Sequence, residues 1–312
     1  MRDQRLAGID IGTLTCRLLI AELPPTGLLK ELYSERRILR LGEGVDQSKR
    51  LKPEAMDRVA QCLQEWRRVI DRYDVHARTA VATSAVRDAE NRQQFVDRVK
   101  SETGLDVEIL TGEEEAKRTM LGIRSGLPQG IPDVLALDIG GGSTEFILAR
   151  QGQPLVVRSI DIGVVRLSER LLHHDPPTRE ETEQARVWIR RETAETLAAM
   201  PRSSGSTLVG TAGTITSLAA MAQQLPVYEP ARIHNYRLAL ETITDLEQQL
   251  LGRSKAARVG MPGLEKNRED VIASGAIILR TVMDTLGQRE CLVSDLGLRE
   301  GVLINLASGI TI

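Results

Sequence analysis

A repeat inside the chain narrows its fold more than any other feature of the sequence. GIDIGTLTCRLLIA (Gly8–Ala21) lies over ALDIGGGSTEFILA (Ala136–Ala149) at an offset of 128 residues, Asp138 against Asp10. Ile11 then falls on Ile139, Gly12 on Gly140 and Thr15 on Ser143, with apolar residues in step on both sides. Each segment reads as strand, acidic turn, glycine, hydroxyl, strand. A chain that carries this pattern twice is expected to form two related halves, each offering one β-hairpin loop to a shared cleft.

The residues of those turns suit a phosphate and a hard cation. Gly140, Gly141 and Gly142 have no Cβ, so their backbone is free to take φ > 0 and to come close to a ligand. Successive N–H groups in such a turn make an anion-binding concavity, and Ser143 and Thr144 add hydroxyl donors. Asp138 and Glu145 bracket the loop with carboxylates of the kind that hold Mg²⁺ together with substrate phosphates. A third glycine turn, GTAGT, leads into the apolar run Ile215–Ala222; taken alone it reads equally as a glycine-rich helix entry or as a helix start whose N–H groups meet an anion. The run Thr111-Gly-Glu-Glu-Glu opens another helix; its carboxylates offset the positive end of the macrodipole. Three in a row exceed what capping needs, which leaves one to take a proton from an attacking water.

Strand-like and helix-like runs alternate along the whole chain, which indicates an α/β fold with at least partly parallel sheets. Strands are expected at Leu6–Leu23 (two, around Gly12), Val75–Val81, Val107–Leu110, Val134–Asp138, Thr144–Ala149, Leu155–Asp161 and Thr207–Gly210. Helices are expected at Pro53–Tyr73, Asn91–Thr103, Arg179–Met200, Ile215–Gln224, Leu240–Leu250 and Glu269–Leu286. The Gly- and Pro-bearing stretch Arg124–Asp133 reads as a loop and as the main boundary. The expected domains are 1–125 and 126–296, with a C-terminal helix of about 297–312 packing back on the first.

Composition removes several classes of function. Among 312 residues the net charge is −2 and aromatics make up 3%, too few for base-stacking platforms and without the basic excess of a nucleic-acid binder. The three cysteines (Cys16, Cys62, Cys291) form no CxxC pair and fit a reducing compartment. The sequence starts with charged residues and has no long apolar run, so a cytoplasmic protein with no membrane partner is expected. Arg36, Arg37 and Arg40, like Arg67/Arg68 and Arg190/Arg191, read as solvated faces, and His173–His174 as surface. Arg17 and Arg87 are better placed, each in or after a strand-terminal turn.

Gly8–Leu19, LDIGGGSTEF (Leu137–Phe146), TGEEEAKR (Thr111–Arg118), GTAGTITSLA (Gly210–Ala219) and VSDLGLREGVL (Val293–Leu303) together resemble the exopolyphosphatase/guanosine pentaphosphate phosphohydrolase family. ATSAVRDAEN (Ala82–Asn91) and PGLEKNREDVIASGAIIL (Pro262–Leu279) extend the likeness over nearly the whole chain. It implies two ribonuclease H-like half-domains of the actin/sugar-kinase/chaperone-ATPase superfold. It also implies hydrolysis of the terminal phosphoanhydride of inorganic polyphosphate, of guanosine pentaphosphate (a stringent-response alarmone), or of both, with Mg²⁺ or another divalent cation. By motif, Glu115 is then the general base and Asp10, Asp138 and Glu145 hold the metal. Gly12, Thr13, Thr15, Gly140, Gly141, Gly142, Ser143, Thr144 and Gly213 meet phosphate, while Arg17 and Arg87 neutralise it.

One departure stands out. Where the family's first loop usually reads DxGSNSxR, this chain has Asp10-Ile-Gly-Thr-Leu-Thr-Cys-Arg17, so Leu14 replaces a polar residue. The chain also stops at Ile312, whereas longer relatives add C-terminal helical domains that extend the polymer surface. A homodimer is allowed for as a further partner. Two other readings keep the same scaffold: a polyphosphate-dependent phosphotransferase to ADP or another small acceptor, and a non-catalytic alarmone sensor.

Overall fold

The computed structural model describes residues 4–23, 29–203 and 205–309. The chain divides into two compact units, Met1–Ser125 with Leu296–Ile312, and Gly126–Asp295.

In the first unit the chain runs β1 (Gln4–Ile11), β2 (Thr15–Leu23), β3 (Lys30–Ile38), α1 (Val45–Ser48), α2 (Pro53–Asp71), β4 (Ala77–Ala82), α3 (Ser84–Asp88), α4 (Arg92–Thr103), β5 (Val107–Ile109) and α5 (Gly112–Gly126). The strands lie in the order β3-β2-β1-β4-β5. β1, β2 and β3 are antiparallel neighbours, while β4 and β5 run parallel to β1. Strand residues alternate between two buried faces. Ala7, Ile9, Ile11, Cys16, Leu18 and Ile20 meet Met56, Val59, Leu63, Trp66 and Ile70 of α2, whose apolar residues recur at helical spacing. Pro53 opens that helix at its first position, where its missing N–H costs nothing.

The second unit continues with β6 (Val134–Ile139), β7 (Thr144–Ala149), β8 (Val156–Ile160), α6 (Val164–Leu171), α7 (Arg179–Ala198), β9 (Thr207–Thr211), α8 (Ala212–Ala222), α9 (Pro230–Ile233), β10 (Arg237–Ala239), α10 (Leu240–Leu251), α11 (Lys255–Arg258), α12 (Ile272–Leu286) and β11 (Glu290–Val293). Its sheet has the order β10-β11-β9-β6-β7-β8. Counted from β8, the first five strands repeat the arrangement of the first unit, with β10 added at the far edge. α13 (Leu298–Ser308) then returns to the first unit. Leu303 there covers the second face of β1 and β2 at Leu6, Leu19 and Ala21. Residues 310–312, the end of the helix expected from the sequence, lie outside the described residues.

Both sheets are mixed and helix-covered, so the α/β class expected from the sequence is the one observed. Four differences have physical causes. α5 runs on to Gly126, so the stretch expected to be a loop from Arg124 begins later. β3 was hidden by its charges, KELYSERRI. They are satisfied in place: Glu35 accepts from Tyr33, from Trp66 Nε1 at 2.8 Å and from Arg37 Nε at 2.6 Å, and Arg37 also reaches Glu65 at 2.5 Å. Arg37 is therefore a structural cation lying 5.8 Å over the Trp66 ring, not a solvated one. β10 and β11 were too short to announce themselves, and α6 is hidden behind the apolar run that follows Gly163.

Candidate functional site

In the first unit the β1–β2 turn is closed by the Gly12 N–H donating to Thr15 O at 3.0 Å. A Cβ on Gly12 would stand 2.8 Å from that oxygen, so close approach selects glycine here. Its φ is not in the left-handed region, and neither is that of Gly140 in the second hairpin. The Thr13 hydroxyl shares a 2.8 Å hydrogen bond with that of Ser84, at the start of α3. Leu14 is buried, and its carbonyl accepts the N–H groups of Leu39 and Arg40, each at 3.0 Å. The residue that replaces a polar one thus anchors the following loop by its backbone and packs by its side chain. At the base of the turn Asp10 stands opposite Arg17, and Arg17 opposite Arg36.

The three glutamates at the start of α5 have three different surroundings. Glu113 pairs with Lys117 at 2.8 Å. Glu114 accepts from Thr111 N–H and from its hydroxyl, both at 2.8 Å, while its own N–H returns to Thr111 Oγ. This capping exchange holds its carboxyl below the usual range, the Thr111 N–H being the main cause. Glu115 is 8% exposed, and Arg87 Nη1 donates to its Oε2 at 3.0 Å and to Leu110 O at 2.9 Å. Arg87, expected to face phosphate, therefore also orients the carboxylate expected to be the base. α5 itself is set against α13 at backbone distance. A Cβ on Gly122 would lie 1.9 Å from Gly297 O, and one on Gly301 would lie 1.7 Å from Arg118 O.

The second unit repeats the hairpin in detail. Gly140 N–H donates to Ser143 O at 3.0 Å, and Asp138 stands opposite Glu145 as Asp10 stands opposite Arg17. The sequence offset thus holds residue by residue through the turn. The Gly140 and Gly141 carbonyls accept N–H groups from the first turn of α6, Val164 at 3.0 Å and Val165 at 2.8 Å. Those bonds hold the loop by its oxygens and leave its nitrogens facing away from α6. Among the described residues, the N–H groups of Gly141, Gly142 and Ser143 donate to no backbone carbonyl, nor do those of Thr13 and Leu14. Thr144 differs from expectation: it is fully buried and its hydroxyl donates to Ile162 O at 2.6 Å, so that proton is committed within the unit.

Glu145 is 1% exposed and accepts from the Ser159 hydroxyl at 2.7 Å; Asp138 is buried beside it. Among the described residues no group of three His, Cys, Asp or Glu side chains forms a protein-only metal cage. Mg²⁺ does not require one, since it keeps several waters and takes one or two carboxylates with substrate phosphates. A facing Asp–Glu pair beside a turn with outward N–H groups fits that demand. Gly213 lies in the first turn of α8, behind Ala212 at φ 70°, and a Cβ there would stand 2.3 Å from an Arg268 guanidinium nitrogen.

Sequence reasoning passed over Ser84 and Arg268. Ser84 and Arg268 lay in segments quoted for the family likeness but carried no glycine or acidic signature of their own. Arg36 was read with its neighbours as a solvated face, and only the β2–β3 register shows it beside Arg17. His174 is exposed as expected, with its ring nitrogen 2.8 Å from Glu181.

Two sheets that share a five-strand order, each opening on an acidic hairpin, define an α/β protein of two related units. Within that fold this chain belongs to the Ppx/GppA phosphatase family, whose pattern matches residues 20–308. A protein named Exopolyphosphatase 2 from Mycobacterium tuberculosis is 35% identical over 97% of this chain and 98% of its own length. A protein from Fusobacterium nucleatum named bifunctional 3-dehydroquinate synthase/phosphatase is 33% identical over 93% of this chain and 44% of its own. Among solved structures, the Aquifex aeolicus Ppx/GppA family member matches with a TM-score of 0.83 at 32% identity, with both chains covered in full. An exopolyphosphatase from Cytophaga hutchinsonii matches at 0.89 and 29% identity, with 99% of each chain covered.

Proposed function

We propose that this chain is an exopolyphosphatase, releasing the terminal phosphate of inorganic polyphosphate, with guanosine pentaphosphate as the second substrate to be tested. The observation that carries the reading is Glu115: of three successive glutamates it alone is buried, and an arginine aims it. A carboxylate so held takes the proton of a water attacking the terminal phosphorus, as general-base catalysis needs. Likeness over full length to a protein named Exopolyphosphatase 2 supports the same choice of substrate.

The remaining roles follow from donor chemistry. The outward N–H groups of Gly141, Gly142 and Ser143, and of Thr13 and Leu14, receive phosphate oxygens. Arg17 and Arg268 offer guanidinium forks that match phosphate geometry. Asp138 and Glu145 hold a divalent cation that neutralises charge on the phosphates when bound. Positioning and charge neutralisation are the main demands of phosphoryl transfer. We assign Thr144 to the architecture of the hairpin.

A phosphate-release assay with both substrates, in Mg²⁺ and in EDTA, tests this. Release without any added acceptor is expected, and it should cease in EDTA. Glu115→Gln should bind polyphosphate as wild type does while kcat falls by about 10²–10⁴-fold, the usual scale of a lost general base. Undiminished turnover in this variant would remove Glu115 from the mechanism. Transfer only when ADP is supplied would make the chain a phosphotransferase, and tight alarmone binding without turnover would make it a sensor.

A further inference from the structure

Asp138, Glu145 and Ser159 are paired in register across β6, β7 and β8. Directly paired residues on neighbouring strands point to the same face, so the three side chains form one row that ends at the sheet's edge. Glu145 lies in the middle, 1% exposed, and the hydroxyl of the exposed Ser159 donates to its Oε1 at 2.7 Å. The segment that carries this donor is itself tied down. Ile162 O takes the Thr144 hydroxyl, Val164 and Val165 donate their N–H groups to the glycine loop, and a Cβ on Gly163 would stand 2.4 Å from the Gly141 carbonyl. The first unit holds the same row with different chemistry. There the register runs Asp10, Arg17, Arg36, so one arginine stands where the repeat has Glu145 and another where it has Ser159. A cation at position 159 would pair with Glu145 and compete with a metal for it. A hydroxyl fixes one carboxylate oxygen and brings no charge of its own.

We propose that Ser159 is a positioning residue for the divalent cation: its hydroxyl fixes the direction in which Glu145, beside Asp138, presents a carboxylate to the metal. Partners of this kind orient metal-ligating side chains, and losing one typically lowers metal affinity about 10–100-fold. The inference rests on the hydrolase reading for the presence of a cation at Asp138 and Glu145. It adds that the strength of that site depends on an edge-strand residue outside the glycine loop.

The test measures Mn²⁺ uptake by the whole protein without substrate, from the loss of the free ion's paramagnetic resonance signal. Mn²⁺ takes the same kinds of oxygen ligand as Mg²⁺. The uptake that belongs to the pair is the part that Glu145→Gln abolishes. Against that baseline Ser159→Ala should bind Mn²⁺ about 10–100-fold more weakly. Ser159→Thr keeps the hydroxyl on a residue suited to a strand and should bind as wild type does. Ser159→Lys should bind more weakly than Ser159→Ala, because its ammonium pairs with Glu145. A role confined to stability predicts the opposite order, since lysine supplies the donor that alanine lacks.

Wild-type Mn²⁺ affinity in Ser159→Ala or in Ser159→Lys overturns the proposal, as does a wild type with no uptake that Glu145→Gln removes. If Ser159→Ala does not fold, the contrast between Ser159→Thr and Ser159→Lys decides by the same criterion. Phosphate release by the wild type, with no effect of Ser159 on Mn²⁺ uptake, sinks the positioning role and leaves the hydrolase standing. Uptake that depends on Ser159 in a protein that releases no phosphate does the reverse.

Discussion

Thr144 sits where the glycine loop meets β7, and the fate of its hydroxyl separates architecture from ligand binding. Because the proton goes to Ile162 O, Thr144→Val should strand a buried carbonyl and cost about 1–3 kcal/mol of stability. KM for polyphosphate should move less than twofold. Denaturant melts and steady-state kinetics on one preparation read both; a raised KM with unchanged stability would return Thr144 to the ligand. Leu14 makes the same point from the other side. Read as a lost polar group, it is buried in the structure and its backbone carries the turn's hydrogen bonds. What residue types alone showed was which atoms the hairpins possess. They did not show which of those atoms the fold consumes, because that depends on partners such as Ile162 and Ser84, far along the chain.

Among the elements of the second unit, three helices meet at one carboxylate. Glu247 of α10 is fully buried and accepts from Arg186 of α7 at 2.9 Å and from Arg280 of α12. Removing one member of a buried ion network leaves the others uncompensated. Glu247→Ala should therefore cost about 3 kcal/mol, the low end of that range because both arginines are partly exposed. The check is the urea midpoint of wild type against variant.

The segment before α7 is held by a second carboxylate. Burial pushes the Glu181 carboxyl up, but hydrogen bonds from His174, Thr178 N–H and His173 N–H outweigh it and bring it from 4.5 to about 2. A carboxylate depressed by folding stabilises above its unfolded value, and that contribution fades as pH falls from about 4.5 through about 2. The stability gap between wild type and Glu181→Gln should thus be full at neutral pH and narrow across that window. A gap independent of pH would deny Glu181 this role. Elements with strong periodicity, such as α2 and the paired hairpins, were legible in the sequence to within a few residues. β3 was not, because its signal lay in charges that Trp66, Tyr33 and Glu65 satisfy only once folded.

At the scale of the molecule, the first unit is built from both ends of the chain. α13 covers Leu6, Leu19 and Ala21 and closes against α5 at Gly122 and Gly301. Ending the chain after Leu296 should uncover that face. The truncated protein is expected to lose the cooperative melting of the first unit and to bind a hydrophobic dye, while the second unit, whose elements lie between Gly126 and Asp295, keeps its own transition. Calorimetry of the truncated chain measures this, and two intact transitions would show α13 to be dispensable.

The same return of α13 orders events at the ribosome. The second unit begins later in the sequence, yet all its strands have been synthesised by Val293, before any residue of α13 exists. The unit translated first must therefore wait, with one apolar face of β1 and β2 uncovered, until α13 has emerged. A nascent chain in that condition exposes the surface that chaperones exist to shield. Its yield in a cell depends on how long synthesis takes over the intervening second unit.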